Sequence, residues 1–245
     1  MKKIKRFLTA LIAVFNIIGM VACIESVRIM NKNYEVSSFN AIESEIVGNV
    51  VLTQSDNTSV SAEGSEDLVK NLIVEVKGNK LKLHARTEIV VKNPFSLTKN
   101  STLTVYVSTP DLAKIDLSGV GNLKLNGNVK SDSLFIDLTG VGNLNAEDLE
   151  CRTLFIESSG VGNITLKGRA KAVKIQSDDV GNIKAKEFIA DTVSINSSGV
   201  GNITCYASDS LVVEASGVGN VTYFGNPAAT SIDSNGVGRV KKGAD

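Results

Sequence analysis

Histidine, tryptophan and proline are nearly missing from this chain of 245 residues, which has one histidine, no tryptophan and three prolines. A single histidine, His84, removes most metal centres and triad chemistry at the outset. It lies in the alternating stretch Leu81-Lys82-Leu83-His84 with no serine, cysteine or acid beside it, and so reads as an exposed strand residue. Three prolines against 21 glycines mean few rigid kinks and many tight turns. Charge of either sign is not in excess, since Lys+Arg and Asp+Glu both number 26. Lys2, Lys3, Lys5 and Arg6 fall in the first 22 residues, which hold no acid. Without that segment 22 basic residues face 26 acidic ones, so the remainder is mildly acidic. Such a surface offers nucleic acid no electrostatic attraction.

The basic start is followed by an apolar run from Phe7 to Val21, broken by Thr9, Asn16 and Gly19. It is too short and too interrupted for a spanning helix and has the pattern of a secretory signal. It ends at Met20-Val21-Ala22-Cys23, which resembles the lipobox of bacterial lipoproteins, with Met where Leu is usual. That resemblance implies a signal peptide over 1–22 and diacylglycerol on the thiol of Cys23. Residues 23–36 are then expected as a tether and 37–245 as the folded domain. The membrane becomes a partner through the lipid, at the outer membrane or cell surface.

What the chain has in abundance is a repeat. Gly-Val-Gly-Asn stands at 119–122, 140–143, 160–163, 199–202 and 217–220, with variants at 179–182 and 236–239 and an earlier relative, Ile46-Val47-Gly48-Asn49. The central valines are spaced by 21, 20, 19, 20, 18 and 19 residues. Five residues before each stands Ile115, Ile136, Ile156, Ile175, Ile195, Val213 or Ile232, and Ile42 does the same for Val47. Three residues after stands Leu123, Leu144, Ile164, Ile183, Ile203, Val221 or Val240. Polar residues alternate between them, and a period of two means strand. A unit of this length has no room for a helix and is about half a propeller blade. The pattern predicts an all-β chain, a right-handed single-stranded parallel β-helix of coils of about 19 residues. Each aliphatic column then becomes an interior ladder at about 4.8 Å per rung.

Glycine is expected to supply the corner's special backbone angles. Asn122, Asn143, Asn163, Asn182, Asn202 and Asn220 are expected to stack amide on amide as a turn ladder. The motif is not a phosphate loop, because no helix and no Lys-Ser/Thr pair follows. Regular coils are expected over 112–240, and irregular first coils with a cap over 37–111. That earlier part holds strand-like runs at 50–52, 73–76, 81–83, 89–91 and 103–107, and a short helical turn capped by Ser65.

Together with the repeat, the opening Phe39-Asn40-Ala41-Ile42 and the closing Tyr223-Phe224-Gly225-Asn226-Pro227 resemble the head GIN domain family of auto-transporter adhesins. The family is common among Bacteroidetes envelope lipoproteins. The resemblance spans about 37–240 and implies a β-helix at the cell envelope. It implies no catalytic residues.

A search for chemistry finds one outward acidic column, Glu43, Asp116, Asp137 and Glu157, continuing as Gln176, Asn196, Glu214 and Asp233. It reads as a solvated edge. Weak Ca²⁺ binding is the alternative, although oxygen sites want six to eight ligands. No catalytic residue, cofactor or resident metal is expected. Cys151 and Cys205 fall in different columns three coils apart, too far for a disulfide, so free thiols are expected, with Cys205 inside the ladder. The one outward column that looks chosen is Lys114, Phe135, Phe155 and Lys174, a candidate platform for a glycan ring or a protein partner. A covering of the two rings by the N-terminal segment or a loop is the preferred expectation. The functional expectation is a non-catalytic envelope lipoprotein with a binding or structural role, adhesin-like. The alternative is a carbohydrate-active enzyme, a polysaccharide lyase or hydrolase, on the same scaffold.

Overall fold

The computed structural model describes residues 28–86 and 102–244. Cys23, the signal segment and the expected strand at 89–91 lie outside these. The repeat region winds as a β-solenoid of about six turns. Five long strands carry it: β9 (Leu123–Leu138), β10 (Leu144–Ser158), β11 (Ile164–Ser177), β12 (Ile183–Ser197) and β13 (Ile203–Ala215). Each pairs in parallel with the next, and β14 (Val221–Phe224), β15 (Ala229–Ser234) and β16 (Val240–Lys242) form the last rungs.

Stacking at this period places identical side-chain roles above one another. The isoleucine column runs Ile42, Ile115, Ile136, Ile156, Ile175, Ile195, Val213, Ile232 in one unbroken register. Its members are essentially inaccessible up to Val213, whereas Ile232 at the open last coil is 45% exposed. Burial of one such side chain is worth roughly 1.5–3 kcal/mol, and the column repeats that gain at every rung.

The corner motif is set by backbone contact. At Gly121 (φ +150°) an added Cβ would overlap the carbonyl oxygen of Gly48 one coil away, and the second glycine of every later copy faces the same obstruction. Asp179 stands where the other copies have their first glycine. Its carboxylate turns inward, is buried, and accepts hydrogen bonds from Ser158 Oγ (2.7 Å) and Ser177 Oγ (2.6 Å). A buried carboxylate persists only with such donors.

The asparagines form a chain of amides. Asn143 donates both its backbone N–H (3.1 Å) and Nδ2 (2.8 Å) to Asn122 Oδ1, and the same pair of bonds recurs at each rung to Asn220. The ladder begins one rung earlier than the six stacked asparagines, at Asn49, which accepts from Asn122 in the same way.

The N-terminal part is threaded out of order. β2 (Ala41–Ser44) and β3 (Asn49–Gln54) form a rung directly beside β8 (Lys114–Leu117) and β9. The chain between them leaves the coil and returns on its far side. There β6 (Lys80–Ala85) and β7 (Thr104–Thr109) extend the rung in parallel. Beyond them β4 (Ser59–Ser65) and β5 (Leu72–Lys77) pair antiparallel. The helix α1 (Glu66–Asn71) packs at this end. Antiparallel strands close the solenoid there and leave no parallel template for another coil.

Two expectations need correction. Residues 29–34 are not tether: β1 (Ile29–Tyr34) adds to the outer edge of β4, with Met30 and Tyr34 half-buried and the Tyr34 hydroxyl donating to Val69 O at 3.2 Å. An edge with free backbone groups recruits whatever strand is near. Ser65 occupies the cap position of α1, but its hydroxyl makes no capping hydrogen bond.

Candidate functional site

The outward residues of the isoleucine-bearing face form two neighbouring columns. One runs Lys114, Phe135, Phe155, Lys174 on consecutive rungs. The phenyl rings stack with centroids 4.9 Å apart and planes 14° from parallel. Lys114 Nζ sits 5.0 Å from the Phe135 centroid and Lys174 Nζ 5.3 Å from that of Phe155. Both ring faces of each phenylalanine are therefore taken, one by the other ring and one by an ammonium. Such contacts contribute about 0.5–1 kcal/mol each at exposed sites. The four residues expected as a platform thus form a sandwich, with the ring edges facing outward. Among the described residues, lysines from adjacent coils lie over the rings and β1 lies on β4, while the rest of the N-terminal segment and residues 87–101 lie outside the described residues.

The second column is the acidic one, and the strand register places Glu43, Asp116, Asp137 and Glu157 on successive rungs. Burial raises the Asp137 carboxyl, and the flanking carboxylates Asp116 and Glu157 push it further up. Glu43 has the opposite environment. Hydrogen bonds from Lys80 Nζ and Lys82 Nζ, both at 2.7 Å, lower its pKa to about 2. Among the described residues no three His, Cys, Asp or Glu side chains converge as a metal site.

Cys151 and Cys205 are both free thiols, Cys205 buried and Cys151 half-buried, and burial pushes each up to about 12. His84 is half-buried on β6 opposite Ile73.

Two surfaces escaped the reading of the sequence. The repeat valines Val47, Val120, Val141, Val161, Val180, Val200, Val218 and Val237 bridge one another in parallel, and all point outward; Val141 is 50% exposed. The other is a cleft of about 720 Å³ on the far side of β9–β12. One wall is the column Lys130, Glu150, Arg169, Ile189. The other is the column Asp132, Arg152, Lys171, Asp191. Between them runs the register Ser131, Cys151 and Ala170, with Ala170 in the core and Cys151 packed against it. The signal was present as charge at 130, 132, 150, 152, 169 and 171 around a column of small residues, but which charges pair across coils depends on the stack.

Against known families, residues 38–227 match the family described as "Putative auto-transporter adhesin, head GIN domain". The chain belongs to this family. A solved structure described as a "putative adhesin" from Bacteroides fragilis is 33% identical, with a TM-score of 0.82 over 89% of this chain and 98% of that one. A "putative lipid binding protein" from Parabacteroides distasonis (22% identical) and a "putative adhesin" from Parabacteroides merdae (18%) each have a TM-score of 0.64 and cover 89% of this chain and 98% of their own. These two share the fold. No curated protein matches the chain.

Proposed function

We propose that this head GIN domain protein is a non-catalytic, adhesin-like binding protein of the cell envelope, tethered through a lipid on Cys23. The observation that carries the reading is how the chemistry-bearing side chains are held. Both thiols are neutral at physiological pH, since burial pushes each up to about 12. Glu43 is locked as a carboxylate between two lysines. Arg152 and Arg169, the bases a lyase on this scaffold would call on, are bound to Asp132 and Glu150 at 2.6 and 2.9 Å. What remains is an extended, rigid surface, which suits contact and not turnover. A basic, interrupted apolar start ending in Ala22-Cys23 supports export and lipidation.

The test uses cells carrying the full chain. A deletion strain should lose adherence to glycan-coated surfaces, and the full chain should restore it. Cys23→Ala should release the protein from the membrane fraction and fail to restore adherence. Mass spectrometry should find diacylglycerol on Cys23. Depolymerisation of any polysaccharide by the purified protein would overturn the non-catalytic reading.

A further inference from the structure

The cleft beside β9–β12 differs from the valine and asparagine columns, each of which repeats one residue type. Here both signs line the walls, Lys130, Glu150 and Arg169 alternating on one, and Asp132, Arg152, Lys171 and Asp191 on the other with its two cations adjacent, and a trench lies between them. Arg152 is held by Asp132 through Nε (2.7 Å) and Nη2 (2.6 Å). Glu150 accepts from Arg169 at 2.9 Å and faces Lys130 at 3.7 Å. These pairs fix long side chains that would otherwise sweep through solvent. The end nearer the N-terminal cap is closed by a built contact. Gln54 Nε2 donates to Pro110 O (3.0 Å) and Lys130 O (2.9 Å), and its Oε1 accepts from the Lys130 N–H at 2.7 Å. Asp111 stands beside that bridge, and Ile189, 51% exposed, marks the far end.

We propose that this trench is the ligand site and that it takes a short stretch of uncharged oligosaccharide lying along the solenoid axis. The proposal rests on the adhesin-like reading and deepens it. Four features choose the ligand. Four cations and four carboxylates line the trench, so its sum is neutral and it favours neither a polyanion nor a polycation. Paired guanidinium and carboxylate groups present fixed donors next to fixed acceptors, which is what a vicinal diol needs, since each hydroxyl both donates and accepts. A volume near 720 Å³ falls in the range of small-ligand sites. The rungs recur at about 4.8 Å, close to the advance of one extended pyranose unit, so the wall pattern and the sugar chain keep step over three or four coils.

A peptide fits less well. Strands β9–β12 spend their backbone groups on neighbouring coils, which leaves no edge for an added strand. Only Ile189 and Pro110, both exposed, offer apolar anchors among the described lining residues. Lys171 and Asp191 carry no ion pair among the described residues; Asp191 Oδ1 accepts from Ser208 Oγ at 3.3 Å, and its other oxygen and the Lys171 ammonium are left for a ligand.

The experiment uses the purified full chain on an array of linear uncharged tri- and tetrasaccharides, with a random peptide array in parallel. The parent should bind a subset of the saccharides. Lys171→Leu with Asp191→Leu, at exposed positions, should weaken that binding at least tenfold with an unchanged melting temperature. Phe135→Ser with Phe155→Ser should keep it. No saccharide binding by the parent, or binding that survives the trench variant, overturns the proposal, and so does capture of peptides alone. Adherence of cells carrying the trench variant separates the two ideas. If they adhere like the parent, the trench falls and the adhesin-like function stands. If even parent cells fail to adhere, that function falls.

Discussion

Replacement of Asn163 by alanine interrupts the amide ladder at its centre. In the parent, Asn163 Nδ2 donates to Asn143 Oδ1 at 3.1 Å, and Asn163 Oδ1 accepts from the Asn182 N–H (3.1 Å) and Nδ2 (3.2 Å). Alanine removes all three bonds but leaves the Asn163 N–H bond to Asn143 in place. A protein hydrogen bond nets about 0.5–1.5 kcal/mol, and these lie at the surface where water replaces them in part. The expected cost is about 1.5–3 kcal/mol. For a domain of this size that corresponds to roughly 3–12 °C in melting temperature, read by circular dichroism. Asn220→Ala is the graded control. Asn220 donates to Asn202 and accepts only from the Arg239 N–H (3.2 Å), two bonds instead of three, so its cost should be smaller. Asn163→Asp keeps both accepted bonds and sets an oxygen against Asn143 Oδ1. The aspartate variant should therefore melt below the parent. An alanine variant that melts within about 1 °C of the parent, or Asn220→Ala costing more than Asn163→Ala, would refute an energetic role for the ladder.

Phe135→Ser with Phe155→Ser should cost about 1–3 kcal/mol, below the 3–5 of a buried phenylalanine, and a chemical melt measures it. Gly142→Ala places a Cβ against the Gly121 carbonyl oxygen and should cost at least about 3 kcal/mol. Gly127→Ala, also at positive φ but with open space around it, should cost only about 1 kcal/mol. Glu43 is held near 2 in the fold against an ordinary value of 4.5, so its contribution is complete above 4.5 and is lost as pH falls toward 2; Glu43→Gln should flatten the acid limb of the stability curve over that interval. A disulfide reagent at pH 8 should react slowly with native Cys151 and Cys205 and at once after denaturation, and a Cys151–Cys205 bond would contradict the coil register.

The sequence by itself determined the coil. Period-two alternation inside a repeat of about 19 residues leaves one way to bury every aliphatic position, which is to stack each unit on the last. Column membership followed from counting, so the alignment of Asp116, Asp137 and Glu157, and that of Phe135 with Phe155, could be written down from spacing alone. The tertiary structure decided whatever depends on direction within a rung or on non-local pairing. Only ring orientation shows that Phe135 and Phe155 spend their faces on each other and on Lys114 and Lys174. Only the carbonyl stack shows why the corner wants glycine, a contact between coils and not a property of one residue. The capture of β1 by β4 and the threading of β2–β3 beneath β9 join segments far apart in the chain, where no local pattern favours one partner. The trench was hidden for a similar reason. A charge at each of several positions is legible, but which cation meets which carboxylate is set by side-chain direction across coils, and that belongs to the packed stack.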